Sequence, residues 1–190
     1  MHPISEVIRK RRAVFEGAFT GQEIPQEVLN EILENANWAP THKLTEPWRF
    51  ILYSGEARQE LSEIVGGAFK KFTPADAFSE MKWKKISQKP LQASATVVLL
   101  MQRDPKGSLP AWEEEAAVAC AIQNMWLTCA AYHIGAYWSS PGFLVNHGRE
   151  LFDLPEGQSL LGLLYMGTVA NDYWPTGERG DWRDKVVFRR

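Results

Sequence analysis

Cysteine is scarce in this chain of 190 residues, which has only Cys120 and Cys129. Both fall in one strongly helical stretch, nine residues and about 13 Å of helix axis apart. A disulfide needs α-carbons within about 7 Å, so a bridge between them is excluded. Two buried thiols are expected, which suits a reducing compartment. Long apolar runs are also missing. Nothing approaches the eighteen or so consecutive apolar residues of a membrane span, and "MHPISEVIRKRR" lacks the apolar core of a secretory signal. The expectation is a cytoplasmic protein that does not enter membranes. Charge of one sign is lacking too. A net charge of −2 leaves no global electrostatic footprint for nucleic acid.

Several chemical signatures are absent as well. There is no G-x-G-x-x-G after a strand, no G-x-x-x-x-G-K-[ST], no HExxH, no CxxC and no G-x-S-x-G. This argues against Rossmann, P-loop, zinc-protease, dithiol and serine-hydrolase chemistry. Four scattered histidines nominate no metal site.

What is present reads as one domain over residues 1–190, with 45% hydrophobic and 23% charged residues, the balance of a globular protein. "PISEVIRKRR" predicts a short helix, and "PQEVLNEILENAN" a longer one with Val28, Leu29, Ile32, Leu33 and Ala36 as its apolar stripe and Pro40 blocking continuation. "WRFILYS", "SATVVLLMQR", "AYWSS" and "QSLLGLLYMGT" read as strands. "GEARQELSEIVGGAFKKF" predicts a helix that frays at Gly66-Gly67, and residues 70–92 a mobile helical excursion. "AWEEEAAVACAIQNMWLTCAAYHIGA" is the strongest helix. Gly135 is its expected stop, and Val118, Ile122, Met125, Trp126 and Cys129 form a stripe expected in core or subunit interface. "KVVFRR" suggests an edge strand near the C-terminus. Strands alternate with helices, so an α/β or α+β sandwich is expected.

Three clusters could carry chemistry. "RKRR", Arg9 to Arg12, is either a solvated cap on a helix C-terminus or a clamp for an anion. "NWAPTHKLTEPWRF" crowds Trp38, His42, Lys43, Glu46 and Arg49 into one loop, although loops are usually polar and threaded over the surface. "YWSSPGF" is either a strand ending in ordinary Pro-Gly turn chemistry or a backbone edge offered to a flat ligand.

Together and in this order, the clusters resemble the nitroreductase family of FMN-dependent oxidoreductases, in its short form. "RRAVF" is similar to the family's R-R-S-x-R element, and "APTHKLTEPWRF" to its A-P-S/D-x-x-x-x-Q-P-W-x-F loop. "EEEAAVACAIQNMWLTCAAYHIGAYWSS" resembles the central helix and following strand, and "LLGLLYMGT" the strand ending in G-x-P/T. The resemblance implies an α+β fold, with a mainly antiparallel sheet flanked by helices in a domain-swapped homodimer. Each active site would then lie at the subunit interface. It implies FMN as cofactor and NAD(P)H as co-substrate. Hydride would pass to flavin N5 and on to a nitroaromatic, quinone or similar acceptor by ping-pong kinetics. The flavin itself would be the reactive centre, with no catalytic side chain.

By the same resemblance, Arg11, Arg12 and Ala13 touch FMN from the first helix, with an arginine on the phosphate, and Arg179 supplies a second phosphate contact. Trp138, Ser139 and Ser140 run along the isoalloxazine edge. Trp38 and His42 reach the FMN held chiefly by the partner subunit. Ala13 departs from the usual serine. Phe15 stands where many members carry Arg or Lys, which implies a lower flavin potential. Leu44 and Glu46 replace the common Asn and Gln. Two other readings stay open: a flavin dehydrogenase or reductase with a dedicated metabolic substrate, and a non-catalytic FMN-binding protein.

Overall fold

A computed structural model describes residues 1–189. Four strands, β1 (Trp48–Ser54), β2 (Ala95–Gln102), β3 (Ile134–Ser139) and β4 (Gln158–Thr168), form one sheet in the order β1-β2-β4-β3. Every neighbouring pair is antiparallel. The helices are α1 (Pro3–Lys10), α2 (Gln26–Asn37), α3 (Ala57–Phe72), α4 (Glu80–Gln92), α5 (Ala111–Ala131), α6 (Gly142–Val145) and α7 (Gly148–Leu151).

Side chains alternate across a strand, and β2 shows how that builds three layers. Val97, Leu99 and Met101 enter one core with Leu29, Ile32 and Ala36 of α2 and Val118, Ile122 and Met125 of α5. Val98 and Leu100 enter the opposite core with Leu61, Val65 and Ala68 of α3. Helices thus cover both faces, which is why β2 and the centre of β4 read as continuous apolar runs. The expected α+β sandwich with an antiparallel sheet is what forms.

Several local expectations fail, and packing explains those at the glycines. Helix α3 runs unbroken through Gly66-Gly67 to Phe72. Gly66 leaves room for α4, since a β-carbon there would strike the Ser87 hydroxyl, and the Trp83 indole N–H donates to the Gly66 carbonyl at 3.1 Å. Residues 70–92 therefore hold the end of α3, a turn and a second packed helix, capped by Ser79. Helix α5 stops at Ala131, and His133, at φ 56°, takes the left-handed position. Gly135 instead lies inside β3, where a β-carbon would meet Val14, Phe19 and Val169 at 2.8–2.9 Å. Only Cys129 is buried; Cys120 is exposed. Residues 186–189 form no strand among the described residues.

A bulge in β4 bears on the site. Leu99 pairs with Gly162 and Leu100 with Leu160, so Leu161 is the extra residue. Gly162 has φ 135°, and a β-carbon there would sit 2.5 Å from the Ser139 carbonyl oxygen and 2.6 Å from Trp138 Nε1. The freed Leu161 carbonyl accepts the Trp138 indole N–H at 3.0 Å, which fixes that ring.

Candidate cofactor site

The stretch after α1 is held in place from two sides. Arg11 caps α1, its N–H donating to the Val7 carbonyl, and the chain then runs extended. Val14 is buried and donates its N–H to the Ala136 carbonyl at 3.0 Å, so Ala13 bridges Ala136 in parallel with β3. From α5, the Trp126 indole N–H donates to the Arg12 carbonyl at 3.0 Å, while the Arg11 guanidinium lies 4.6 Å from the Trp126 ring centroid. The arginines thus follow the helix rather than lying within it.

The residues after β4 return to the same place. Trp174 donates its indole N–H to the Lys10 carbonyl at 2.6 Å. Gly177 lies so close to the Arg12 guanidinium that any β-carbon would collide with it. This brings Arg179 to Arg11 and Arg12 around a cavity of about 470 Å³ that Arg9 and Gln123 also line. Four arginines line it and no acidic residue does. Burial, reinforced by the charges of Arg179 and Arg12, pushes the Arg11 pKa down from its ordinary value. Arg12 donates from Nη1 to the carbonyls of Arg9 and Arg11, but its Nε is buried without a partner. Crowded like charges make a cavity suited to an anion with several acceptor oxygens.

Next along the segment, Ala13 and Phe15 line a hollow of about 600 Å³ with Ala18, Ala170, Tyr173 and Pro175. Its walls are largely apolar. Phe15 is 60% exposed and rests on Tyr137, ring centroids 4.9 Å apart. Ser139 ends β3, and Ser140 leads into Pro141, the residue before α6. As β3 is the edge of the sheet and, among the described residues, only the Ala13–Ala136 bridge runs along its outer rim, the backbone of Trp138–Ser140 stays open there.

Behind Phe15 lies a group the sequence reading did not pick out. Lys89 of α4 reaches Glu16 at 3.4 Å and the Tyr137 hydroxyl at 3.4 Å. Burial opposes ionisation of Glu16, but the neighbouring Tyr137 hydroxyl, a backbone N–H and Lys89 outweigh it and hold the carboxyl below its ordinary pKa. Burial also pushes the Tyr137 phenol far up, so it stays neutral. A cation therefore stands near Phe15 after all, delivered from another helix. Its signal was present as Lys85, Gln88, Lys89 and Gln92 at helical spacing.

Trp38 and His42 lie elsewhere. Trp38 caps α2 and is 79% exposed, whereas Trp48 is buried and donates its indole N–H to Asn37 at 3.0 Å. His42 is exposed and donates from Nδ1 to Glu113, in the first turn of α5, at 2.7 Å. Trp126, on which Arg11 rests, lies thirteen residues further along α5, roughly 20 Å away. Within one chain the loop and the arginine cavity do not meet. The loop is also strained: Lys43, Leu44 and Glu46 all take positive φ, at 53°, 55° and 42°. Such backbone costs of order 1–3 kcal/mol per residue and gathers at functional sites.

Among the described residues no cluster could hold a metal, and no helix is long and apolar enough to cross a membrane. The description of the Nitroreductase family matches residues 8–168. A solved nitroreductase-like family protein from Bacillus cereus is 30% identical, with a TM-score of 0.82 over 100% of this chain and 97% of that one. A protein of Escherichia coli K12 named "Putative NAD(P)H nitroreductase YdjA" is 28% identical over 172 residues, 88% of each chain. The FMN-dependent nitroreductase NfnB of Mycobacterium smegmatis, solved in complex with NADPH, shares the fold at a TM-score of 0.73 and 18% identity, covering 98% of both chains.

Proposed function

The chain belongs to the nitroreductase family, and from that premise we propose that it is an FMN-dependent NAD(P)H oxidoreductase acting on nitroaromatics, quinones or similar electron-poor acceptors. One observation carries the reading. A cavity lined by four arginines and no acidic residue is followed, along a single extended segment, by an apolar hollow, and the same segment bridges the edge strand of the sheet. FMN has that polarity, a phosphate dianion at one end and a flat ring at the other. The mutual repulsion of Arg11, Arg12 and Arg179 is a feature that a phosphate relieves.

In this reading Arg11, Arg12 and Arg179 hold the phosphate. Ala13 and Phe15 floor the site, and the backbone of Trp138, Ser139 and Ser140 offers N–H groups along the ring edge. Lys89 supplies positive charge near Phe15. FMN held there would supply the redox chemistry, hydride transfer from a nicotinamide to the acceptor in ping-pong fashion. The protein binds, orients and tunes. Trp38 and His42, exposed on a strained loop far along α5 from their own arginine cavity, would wall the site of a second copy in a homodimer. The whole chain acts as one domain, in the cytoplasm.

A non-catalytic FMN-binding role is favoured by Phe15, and one experiment separates it. The purified protein should be yellow, bleach on anaerobic addition of NADH or NADPH, and recover colour when a nitroaromatic or quinone is added. Colour that neither nucleotide bleaches would establish the non-catalytic role, and a colourless protein that takes up no FMN would remove both. Activity confined to one acceptor in a substrate panel would indicate a dedicated metabolic substrate. Sedimentation of diluted protein tests the dimer: a monomer retaining full flavin occupancy would refute the shared site.

A further inference from the structure

We propose that the hollow between Phe15 and α4 receives the negatively charged end of a reducible substrate, and that Lys84 and Lys85 select for that charge. The proposal rests on the FMN-dependent reading above. The hollow measures about 720 Å³ and is lined by Phe15, Glu16, Lys84, Lys85, Gln88 and Lys89, among others. That volume lies within the usual range for small-molecule sites.

Helix α4 divides its duties by face. Trp83, Ser87 and the buried Pro90 turn toward α3 and the core: Trp83 bonds the Gly66 carbonyl, and the Ser87 carbonyl accepts the Ser62 hydroxyl at 2.6 Å. Lys85, Gln88, Lys89 and Gln92 follow at i, i+3, i+4 and i+7, with Lys84 flanking them, and all five line the hollow. Lysines on a helix usually mark a solvated face, but here they look across a cavity at an exposed aromatic wall. Phe15 offers a flat apolar surface, and the helix opposite offers ammonium and amide donors.

The charge balance favours an anion. Three lysines and one glutamate line the hollow. Glu16 is shared with Lys89, whereas Lys84 and Lys85 have no carboxylate within salt-bridge distance among the described residues. Phe15 also lines the apolar hollow on its other side, so a ligand there would lie next to the proposed ring site. The shared chemistry is an anionic group attached to a flat ring system. It could be the carboxylate of an aromatic acceptor or a phosphate of the nicotinamide nucleotide.

The test is the double variant Lys84→Gln/Lys85→Gln in the FMN-loaded protein. Kinetics are compared for 4-nitrobenzoate against 4-nitrobenzamide, near-isosteres that differ in charge, and for NADPH against NADH. Exposed charge pairs are individually weak. The expected change is therefore a rise of roughly 3- to 10-fold in KM for 4-nitrobenzoate, with the amide within about twofold and kcat unchanged. A rise confined to NADPH supports the anion hollow and assigns the charge to the nucleotide phosphate. Equal effects on charged and neutral partners, or none, overturn the proposal. Benzoate and benzamide titrations of FMN-free protein, followed by tryptophan fluorescence, keep the two readings apart. Charge-selective, salt-sensitive benzoate binding that the double variant loses supports the hollow even if FMN never binds, and equal affinity for both probes overturns it.

Discussion

Replacing Arg11 by alanine should separate cofactor affinity from folding stability. In the free protein Arg11 makes few bonds that hold the fold. Its backbone N–H caps α1 whatever the side chain, and its guanidinium rests on Trp126 while facing Arg12 and Arg179. Loss of the indole contact costs about 0.5–1 kcal/mol at a partly exposed site. Relief from two like charges offsets part of that, so unfolding of the FMN-free variant should stay within ~1 kcal/mol of the parent. With phosphate present the balance changes, since a hydrogen bond to a charged group contributes about 1.5–3 kcal/mol. The Kd for FMN should therefore rise roughly 10- to 150-fold. Quenching of FMN fluorescence by FMN-free protein measures the affinity, and urea unfolding measures the stability. Arg149→Ala, on the exposed surface of α7, serves as a control for loss of one positive charge. Unchanged FMN affinity in Arg11→Ala, or an equal loss in the control, would refute the phosphate clamp.

Gly162→Ala should destabilise the fold by ~1–3 kcal/mol in urea titration, because a backbone at φ 135° excludes other residues and the new methyl would strike the Ser139 carbonyl; a loss below about 0.5 kcal/mol would show that the bulge can relax. Ellman's reagent should titrate Cys120 in the native protein and both thiols only after denaturation, since burial pushes Cys129 up to about 12. Glu16 has a folded pKa below its unfolded one, so its contribution to stability is complete above the ordinary glutamate pKa of about 4.3 and is lost as the pH falls through the lower folded value. Glu16→Gln should flatten the acid limb of a stability–pH curve, and an unchanged limb would contradict the assignment.

The sequence revealed most where one physical signal dominated. Buried on both faces, β2 and β4 could be little else than central strands, and α5 combined apolar spacing with acidic residues at its start. The expectations that failed depended on distant neighbours. Gly66-Gly67 looks like a helix breaker until α4 packs on it, and Gly135 looks like a stop until Val14, Phe19 and Val169 crowd it. Val186–Phe188 carry strand-like residues but pair with no strand among the described residues. At the site, local pattern left Arg9–Arg12 ambiguous between cap and clamp. The family resemblance set Arg179 beside them, and the fold brings it to the same cavity through the Trp174 and Gly177 contacts. Lys89 escaped because its partners, Glu16 and Tyr137, come from two other parts of the chain.

Helix α5 touches His42 through Glu113 and supports Arg11 through Trp126. One stiff rod therefore sets the interval between the His42 loop and the arginine cavity. A single residue inserted or deleted between those positions would swing one end about 100° around the other and slide it ~1.5 Å. The helix thus works as a ruler, its length rather than its surface setting that spacing.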